Sequence, residues 1–388
     1  MKIPLKYNWR SLLERKSTTV LTVLSIAFVV LVFIGVLSLA TGLEKAFSAS
    51  GDPRNVLVLR DGARTETESS ISMENFRTLA AMPQVERGPA GEPLASGELI
   101  ILQIFPRKDG SESNVVVRGV QPAAKLVRPT FKIKEGRDFE PGKGEVIVGS
   151  NIASRFPSLA LGQERSIGQV KFRVVGIFEA GGGGSESEVW GALEDIGDSF
   201  KRTGFVSSAR VRTSSSQSVQ AVMEAVKGDQ RMRVAAKPET LYYEEQTDQN
   251  TALFKNLGVA LAVLMGFGAC FAAANTMYAQ VARRGREIGT LRALGFRRRT
   301  ILLAFMIEAA VLGLLGGIVG ALLSLPLNGI NAGTTNFLTF SEIAFQLSTS
   351  PGVMLAGILI AVATGVVGGF PPAVAAARQP ISSALREA

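Results

Sequence analysis

The most distinctive chemistry in this sequence belongs to a basic segment, residues 283–299, which lies between two long apolar runs. The segment contains seven arginines and one acid, Glu287. A loop this basic between membrane spans stays on the cytoplasmic side, because Lys and Arg resist translocation. Its apolar residues form a narrow stripe at helical spacing: Ile288, Leu291, Leu294 and Phe296. The pattern predicts docking on a cytosolic partner, and the alternatives are a solvated loop that only sets orientation or a loop lying on anionic lipid.

A second charged candidate, Glu308, is the only acid well inside an apolar run. A charge near mid-membrane costs at least ~2.5 kcal/mol on insertion scales, so we expect this carboxylate to face protein or water. Its nearness in sequence to Arg299 places the cytoplasmic arginines within its reach. A structural or gating contact is the favoured interpretation, with a proton relay as the alternative.

The chain has no histidine and a single cysteine, Cys270, inside an apolar run. Histidine-based acid/base catalysis, histidine metal ligands and Ser-His-Asp or Cys-His pairs are therefore excluded. No disulfide framework is available to the large polar segment. We predict no catalytic, cofactor-binding or metal-binding residues in this chain.

The composition indicates that the candidate residues above belong to a membrane protein. The chain is 46% hydrophobic and only 19% charged, against roughly 25% charged in soluble domains. Four runs reach the ~20 apolar residues that cross a bilayer, and the predicted spans are residues 18–43, 251–282, 300–327 and 351–374. The other predicted pieces are an N-terminal amphipathic segment (1–17), a large outer domain (44–250), the basic loop (283–299), a short outer loop (328–350) and a tail (375–388).

The net charge of +9 is unevenly distributed along the chain. The excess positive charge lies in residues 1–17, in residues 283–299 and after residue 377, whereas residues 44–250 are nearly neutral. This asymmetry follows the positive-inside rule and argues against a nucleic-acid partner. We expect both termini in the cytoplasm and residues 44–250 outside it.

Residues 44–250 predict an α+β domain in which the distant ends of the segment pair. Two strand–helix–strand units flank a strand-rich middle. The first unit has a strand at 56–59, a helix from Ser72 to Ala81 and a further strand after Pro83. The remaining predicted elements are a strand at 209–212, a helix at 216–226, a strand at 231–236, and middle strands at 115–120, 144–149 and 172–178.

Three further patterns concern how the domain and the spans are built. Gly181–Gly184 predicts a flexible outer loop, and it lacks the Lys-Ser/Thr pair of a phosphate-binding loop. Residues 240–255 predict a helix that runs into the second span and, with residues 43–47, forms a stalk. The glycines of the third and fourth spans predict close helix packing, although glycine is also common in such spans.

Several of these motifs resemble those of MacB/FtsX-type permeases, the four-span subunits of type VII ATP-binding-cassette systems. Arg286-Glu287-Ile288-Gly289 and Arg292-Ala293-Leu294-Gly295 match the signature around the second and third spans. The segments at 144–149 and 174–178 and the ending Pro371-Pro372-Ala373 match as well. The resemblance covers essentially the whole chain.

The resemblance implies a helical membrane permease with a MacB-like outer domain and, because no Walker motif precedes the first span, no fused ATPase. The expected partners are a cytosolic ABC ATPase dimer that binds ATP and Mg²⁺ and a second permease, either a second copy of this chain or a related permease. Such systems often also use a periplasmic adaptor and an outer-membrane channel. The expected location is the bacterial inner membrane. The loop at 283–299 would contain the coupling helix, with Glu308 as a structural or gating residue. The implied ATPase-coupling residues are Arg284, Arg286, Glu287, Ile288, Leu291, Arg292, Leu294 and Gly295.

Three functions fit the resemblance. The first is a permease that, by mechanotransmission, uses cytosolic ATP hydrolysis to move its outer domains and expel an amphiphile such as an antibiotic, peptide or glycolipid. The second is a lipoprotein-releasing permease, and the third is a signalling subunit that activates a cell-wall hydrolase. The polar residues of the spans are too few for an ion-driven relay: Asn256, Asn275, Thr276, Gln280 and Glu308. The chain itself is not expected to be an enzyme.

Overall fold

The computed structural model describes residues 16–380, so the predicted amphipathic segment and most of the predicted tail lie outside the described residues. The chain divides into two compact units. We call the first the membrane unit, which comprises, among the described residues, 16–41, 253–330 and 347–380. The second is the inserted unit, residues 42–252 and 331–346.

The helices are α1 (Lys16–Ser48), α2 (Met73–Ala80), α3 (Ala123–Leu126), α4 (Ser150–Ala153), α5 (Leu193–Ser199), α6 (Ser218–Gly228), α7 (Glu239–Arg283), α8 (Gly285–Ala293), α9 (Arg298–Ser324) and α10 (Pro351–Arg378). The strands are β1 (Asn55–Arg60), β2 (Ile71–Ser72), β3 (Ala95–Pro106), β4 (Glu112–Val120), β5 (Phe131–Gly136), β6 (Glu145–Gly149), β7 (Glu164–Ile167), β8 (Val170–Ala180), β9 (Glu188–Ala192), β10 (Phe205–Val206), β11 (Ser208–Arg212), β12 (Val234–Pro238), β13 (Asn331–Thr335) and β14 (Glu342–Gln346).

Within residues 16–380, four helices are long and apolar enough to cross a membrane: α1, α7, α9 and α10. Glycines allow α9 and α10 to approach closely. A Cβ on Gly313 would lie 2.5 Å from the Ala361 carbonyl oxygen, and one on Gly365 would lie 2.6 Å from that of Ala309. No hydrophobic force favours helix over lipid inside a membrane, so backbone proximity of this kind is a main source of helix association. These glycines have a packing role in the membrane unit.

The inserted unit is built on a mixed sheet that has ten strands among the described residues, in the order β12-β1-β11-β3-β4-β9-β6-β8-β5, with β7 also on β8. The first strand of the domain, β1, lies between two of its last strands, β11 and β12, and is antiparallel to both. The prediction that the distant ends pair is therefore confirmed. Because β11 is also antiparallel to β3, β1 runs parallel to β3, and β11 runs parallel to β12. Each end unit is therefore a strand–helix–strand crossover whose two parallel strands are separated by one strand of the other unit.

Helix α2 begins as the sequence predicts, because the Ser72 hydroxyl accepts a hydrogen bond from the Asn75 backbone N–H. The prediction of a strand directly after Pro83 is wrong, since Val85 makes only an isolated β-bridge with Thr213. The long strand β3 follows instead. The first residues of β3 include a glycine and a glutamate, which are uncommon in strands, so the sequence does not predict a strand there.

The segment predicted as a short loop, residues 328–350, contains the antiparallel hairpin β13–β14, and this hairpin belongs to the inserted unit. The strand β13 has the sequence Asn-Ala-Gly-Thr-Thr and lacks large apolar side chains. It therefore carries no β-strand signal of its own. Pairing with β14 and packing in the inserted unit decide its conformation.

The Gly181–Gly184 loop differs from the flexible loop that the sequence predicts. Gly181 and Gly182 have positive φ values of 68° and 77°, and the chain turns around the buried carboxylate of Glu186. The backbone N–H groups of Ala180 and Gly182 donate to Glu186 Oε1 at 2.7 and 2.6 Å. The glycines serve a tight turn around an anion that belongs to the chain itself.

Candidate functional site

The basic segment forms a short helix rather than one helix over residues 283–299. Helix α7 ends at Arg283, α8 has nine residues, and α9 begins at Arg298. Gly295, with φ of +92°, ends α8: its N–H donates to the Arg292 carbonyl at 3.1 Å, and the Phe296 N–H donates to that of Leu291 at 3.1 Å. This is glycine-terminated helix capping, and it returns the chain toward α9.

One face of α8 packs inside the membrane unit. Ile288 is 3% exposed and lies in a cluster with residues of α7, α9 and α10: Met277, Val281, Ile301, Phe305, Ala309, Ala373 and Ala376. Arg292 Nη1 donates to the Ala377 carbonyl at 2.8 Å, at the end of α10. The prediction that Ile288 belongs to a docking stripe is therefore wrong, because its side chain is buried in its own chain.

The opposite face of α8 is exposed. Arg286, Glu287, Thr290 and Leu294 lie on this face, at the spacing of successive helical turns. Leu294 is 67% exposed, whereas Leu291 is half-buried. The residues of the predicted apolar stripe therefore do not share one environment. Leu294 is the exposed leucine among charged side chains. We call this set the α8 outer face.

The predicted reach of Glu308 to the cytoplasmic arginines is present in the structure. Arg284 Nη1 lies 3.3 Å from Glu308 Oε2, and the two residues are 8% and 1% exposed. Arg284 directly precedes α8, and Glu308 lies within α9. Removing one partner of a buried pair of this kind typically costs about 3–5 kcal/mol. The contact therefore joins the beginning of α8 to the interior of α9.

A second concentration of charge lies in the inserted unit and is absent from the sequence prediction. Four neighbouring strands, β11, β3, β4 and β9, contribute one charged residue each to one buried row, and three further residues complete it. We call the set the buried ionic cluster: Arg118, Arg128, Arg210, Glu66, Glu98, Glu188 and Glu239.

Glu98 lies at the centre of the buried ionic cluster and is 0% exposed. It accepts hydrogen bonds from Arg118 Nη1 at 2.7 Å, from Arg128 Nη1 at 2.8 Å and from Arg210 Nη1 at 2.6 Å. Arg118 also donates from Nε to Glu188 at 2.6 Å. Charge-assisted bonds of this number compensate for the loss of hydration that burial imposes on each ion.

Burial is the main cause that raises the pKa of Glu188 above its ordinary value of 4.5; the charge of Glu66 adds to the shift, and Arg118 opposes it. Burial also acts to raise the pKa of Glu66, but the charges of Arg118 and Arg210 outweigh it and lower that pKa. The four carboxylates outnumber the three guanidinium groups. The pKa values of Glu188 and Glu66 are thus shifted in opposite directions, upward for Glu188 and downward for Glu66.

Glu239, the first residue of α7, connects this cluster to the chain that leaves α1. Its carboxylate accepts from the Asp52 N–H at 3.0 Å, from Asn55 Nδ2 at 2.8 Å and from Arg210 Nε at 2.5 Å. The segment after α1, the sheet and the beginning of α7 thus meet at one side chain.

The β13–β14 hairpin is held at two places in the inserted unit. Glu342, 1% exposed, pairs with Arg107 and with Arg155, whose Nη2 lies 2.8 Å from Glu342 Oε1. Asn336 donates to Gln246 of α7 at 3.0 Å. The hairpin that connects α9 to α10 is therefore bonded both to the sheet region and to the first part of α7.

The cluster residues give a weak signal in the sequence. Arg118, for example, interrupts the apolar run Val115-Val116-Val117 and Gly119-Val120. A charge within a continuously apolar strand is the observation that could have marked it as buried and paired. Within residues 16–380, no group of three or more His, Cys, Asp or Glu residues could hold a metal ion.

Two family models cover most of the chain. Residues 19–228 match the MacB-like periplasmic core domain, and residues 259–381 match the FtsX-like permease C-terminal domain.

Curated relatives match the chain at low identity. The pyoverdine export ATP-binding/permease protein PvdT of Pseudomonas entomophila is 26% identical over 403 residues, covering 96% of this chain and 58% of that protein. The macrolide export ATP-binding/permease protein MacB of Nitrosomonas europaea is 26% identical over 401 residues, covering 95% and 57%. This chain therefore spans less than two thirds of the length of these relatives.

Among solved structures, the periplasmic region of MacB from Actinobacillus actinomycetemcomitans aligns with 54% of this chain and 98% of that chain, at 13% identity and a TM-score of 0.38. With a TM-score this low, the family assignment depends on the sequence matches.

Proposed function

Because the chain belongs to the MacB/FtsX family of ABC transporter permeases, we propose that it is the permease subunit of an ATP-driven export system that works by mechanotransmission. Cytosolic ATPase subunits bind ATP and Mg²⁺ and dock on the α8 outer face. A second permease copy completes the membrane assembly in the bacterial inner membrane, with both termini in the cytoplasm. The inserted unit acts outside on an amphiphilic substrate and passes it to an adaptor and an outer-membrane channel.

The observation that carries the proposal is the way α8 is built. Its inner face is fixed by the burial of Ile288 and by the Arg292 contact with Ala377, while the Arg284–Glu308 pair anchors its beginning. Its outer face is exposed and carries charges around Leu294. Because α8 is fixed in this way, a displacement of its outer face by a docked ATPase would move α9 and α10 together with it.

The far end of α7 supports the same mechanism. This helix has 45 residues without interruption, which corresponds to about 68 Å at 1.5 Å per residue. Arg283 at one end is adjacent to α8, and Glu239 at the other end is bonded into the buried ionic cluster. In this mechanism α7, which continues along the chain from the inserted unit into the membrane unit, carries the motion from cytoplasmic ATP hydrolysis to the inserted unit.

Export is favoured over lipoprotein release and over signalling because the relatives PvdT and MacB are named as export proteins. By name, these relatives export pyoverdine and macrolides. The substrate class proposed for this chain remains the amphiphile that its resemblance to the family implies.

The test is the recovery of the ATPase when the permease is purified from native membranes. Leu294→Asp and Glu287→Arg place unfavourable charges on the α8 outer face, so we expect at least a fivefold loss of co-purified ATPase. Leu241→Asp is the matched control, since Leu241 is an exposed leucine of the inserted unit, 43% exposed. Unchanged ATPase recovery in the α8 variants, with the same yield of folded permease, would contradict the proposal.

A further inference from the structure

The exposed phenylalanines of the inserted unit lie together, in the turn that connects β13 to β14. Phe337 is 49% exposed and Phe340 is 64% exposed. The other phenylalanine, tyrosine and tryptophan side chains of this unit are buried or half-buried. Exposed apolar side chains that lie together mark a surface that contacts protein or membrane. We call residues 336–341 the hairpin tip.

The hairpin tip is fixed by hydrogen bonds and carries backbone strain. Asn336 Oδ1 accepts from the Leu338 N–H at 2.9 Å, and the Asn336 carbonyl accepts from the Phe340 N–H at 2.8 Å. Asn114 Nδ2 donates to the Phe340 carbonyl at 3.0 Å. These bonds hold Phe340 at φ of +56°, a left-handed conformation that is rare for a bulky residue. Backbone strain of this kind is concentrated at functional sites, and here it accompanies an exposed ring.

The hairpin lies at the level at which two membrane helices end their apolar segments. At its base, Gly42 packs so closely against the Gln346 carbonyl that a Cβ on Gly42 would overlap it. At its tip, the Phe337 N–H donates to Asn250 Oδ1 at 2.9 Å. Gly42 is next to the last residue of the first predicted span, and Asn250 directly precedes the second. The base and the tip of the hairpin are therefore both placed at the bilayer surface.

The segment between α9 and α10 has no exposed charge. Residues 328–350 contain one charged residue, Glu342, which is 1% exposed and forms ion pairs with two arginines of the inserted unit. The turn between β3 and β4 differs, because its residues Lys108 and Asp109 are exposed. Charged side chains are strongly disfavoured in contact with lipid. The hairpin therefore suits contact with a bilayer, whereas the β3–β4 turn suits water.

The polar side chains of the hairpin tip are already bonded within the chain. Thr339 Oγ1 and Ser341 Oγ lie 2.7 Å apart, and Asn336 Nδ2 donates to Gln246 Oε1 at 3.0 Å. A protein interface typically forms a hydrogen bond for every 100–200 Å² that it buries. The tip offers apolar rings and no free polar side chain, which favours acyl chains over a protein as the surface that covers it.

We propose that Phe337 and Phe340 insert into the interfacial region of the bilayer, in the leaflet on the side of the inserted unit, and contact lipid acyl chains there. Insertion removes apolar surface from water and buries no unpaired polar side chain. Because the bonds of Asn336 fix the tip beforehand, little conformational entropy is lost when it inserts. The contact attaches the inserted unit to the bilayer at a point outside α1, α7, α9 and α10. It goes beyond the proposed function and requires only that these four helices cross a membrane.

Fluorescence quenching in proteoliposomes of the purified permease tests the insertion. In a Cys270→Ala background the chain has no other cysteine, and Phe337→Cys and Phe340→Cys are each labelled with an environment-sensitive fluorophore. Leu161→Cys is the matched control, since Leu161 is 43% exposed in the same unit, and Leu264→Cys on α7, 69% exposed, is the reference within the membrane. The quencher is a lipid with a nitroxide on its acyl chain, which stays within the hydrocarbon of about 30 Å.

The lipid quencher should act at least about fivefold more strongly on the two tip labels than on the Leu161 label, and about half as strongly as on the Leu264 label. Iodide, which stays in water, should give the opposite order for the tip and Leu161. Lipid quenching at the tip that is no stronger than at Leu161 would overturn the proposal. Protection of the tip from both quenchers would show that protein covers it and would overturn the proposal as well.

A second measurement separates lipid contact from packing within the hairpin. Phe345 is 3% exposed, so Phe345→Ala should lower the melting temperature in detergent by more than about 5 °C. Phe340→Ala removes an exposed ring and should change the melting temperature by less than about 2 °C. Equal losses in the two variants would show that Phe340 is a packing residue, against the proposal.

Neither measurement requires an ATPase or a substrate. If lipid quenches the tip labels but no ATPase is recovered with the permease, the proposed function fails and the lipid contact stands. If the ATPase is recovered and depends on Leu294 but lipid does not quench the tip labels, the lipid contact fails alone.

Discussion

Arg284 and Glu308 form a buried ion pair, with the guanidinium Nη1 3.3 Å from the carboxylate Oε2. The arginine belongs to the turn before α8, and the glutamate belongs to a helix that crosses the membrane. The pair explains why one acid is retained in an otherwise apolar span, because its partner is an arginine of the same chain. It also joins the turn before α8 to α9.

Single and double replacements of this pair should have different effects. Glu308→Leu or Arg284→Met alone leaves one buried charge without the group it faces, so we expect each to lower the free energy of unfolding by about 3–5 kcal/mol. The double variant removes both charges and should recover most of that loss. Thermal unfolding of the detergent-solubilised protein measures this. If the double variant is as unstable as the sum of the two single variants, the pair is not coupled.

Ile288 should behave as a core residue, in contrast to Leu294. Ile288→Ala removes buried methyl groups from the cluster with Met277 and Phe305, so we expect a loss of about 2–5 kcal/mol in the free energy of unfolding. Leu294→Ala changes an exposed side chain and should alter that free energy by less than about 0.5 kcal/mol. Denaturation of both variants distinguishes these cases. Equal losses of stability would show that the two faces of α8 are wrongly assigned.

Glu188 should make the inserted unit more stable as the pH falls. Its pKa is raised by burial in the folded state, so its contribution is fully present below the ordinary pKa of 4.5 and is lost as the pH rises through the folded pKa. The stability of the parent relative to Glu188→Gln should therefore increase between pH 7 and pH 4.5. Thermal unfolding of both proteins across this range measures the difference.

Glu66 is the matched comparison for Glu188 and should show the opposite dependence. Its pKa is lowered because the charges of Arg118 and Arg210 outweigh the effect of burial, so its contribution is present above 4.5 and is lost as the pH falls through the folded pKa. The advantage of the parent over Glu66→Gln should shrink below pH 4.5. The same sign of pH dependence in both variants would contradict the assignment of these two carboxylates.

Gly313 should not tolerate a side chain. Gly313→Ala places a methyl group 2.5 Å from the Ala361 carbonyl oxygen, and overpacking of this kind typically costs about 1–3 kcal/mol. Gly352→Ala is the control, because its nearest neighbour would be 3.9 Å away. A lower melting temperature for Gly313→Ala alone is expected. Equal melting temperatures would mean that α9 and α10 are less closely packed than this structure has them.

Much of the membrane architecture could be predicted from the sequence. The spans follow from the lengths of the apolar runs, because each backbone group in a bilayer must be bonded within its own helix. The start of α2 at Ser72 and the strands β1, β4, β6 and β8 also follow from local patterns. Each of these depends on residues that are close together in the chain.

Other features could be seen only in the tertiary structure, because they depend on residues that are far apart in the chain. Glu98, Arg118 and Arg210 look like solvent-facing charges until the order β11-β3-β4 places them side by side. Ile288 and Leu294 belong to the same stripe in the sequence, and only the packing of α7, α9 and α10 buries one and exposes the other. The sequence therefore determined which segments are long and apolar enough to lie in the membrane and many, though not all, of the helices and strands, since hydrophobicity and hydrogen bonding act locally. The partners of each buried charge were decided by strand order and helix packing, because those bring together groups that no local pattern relates.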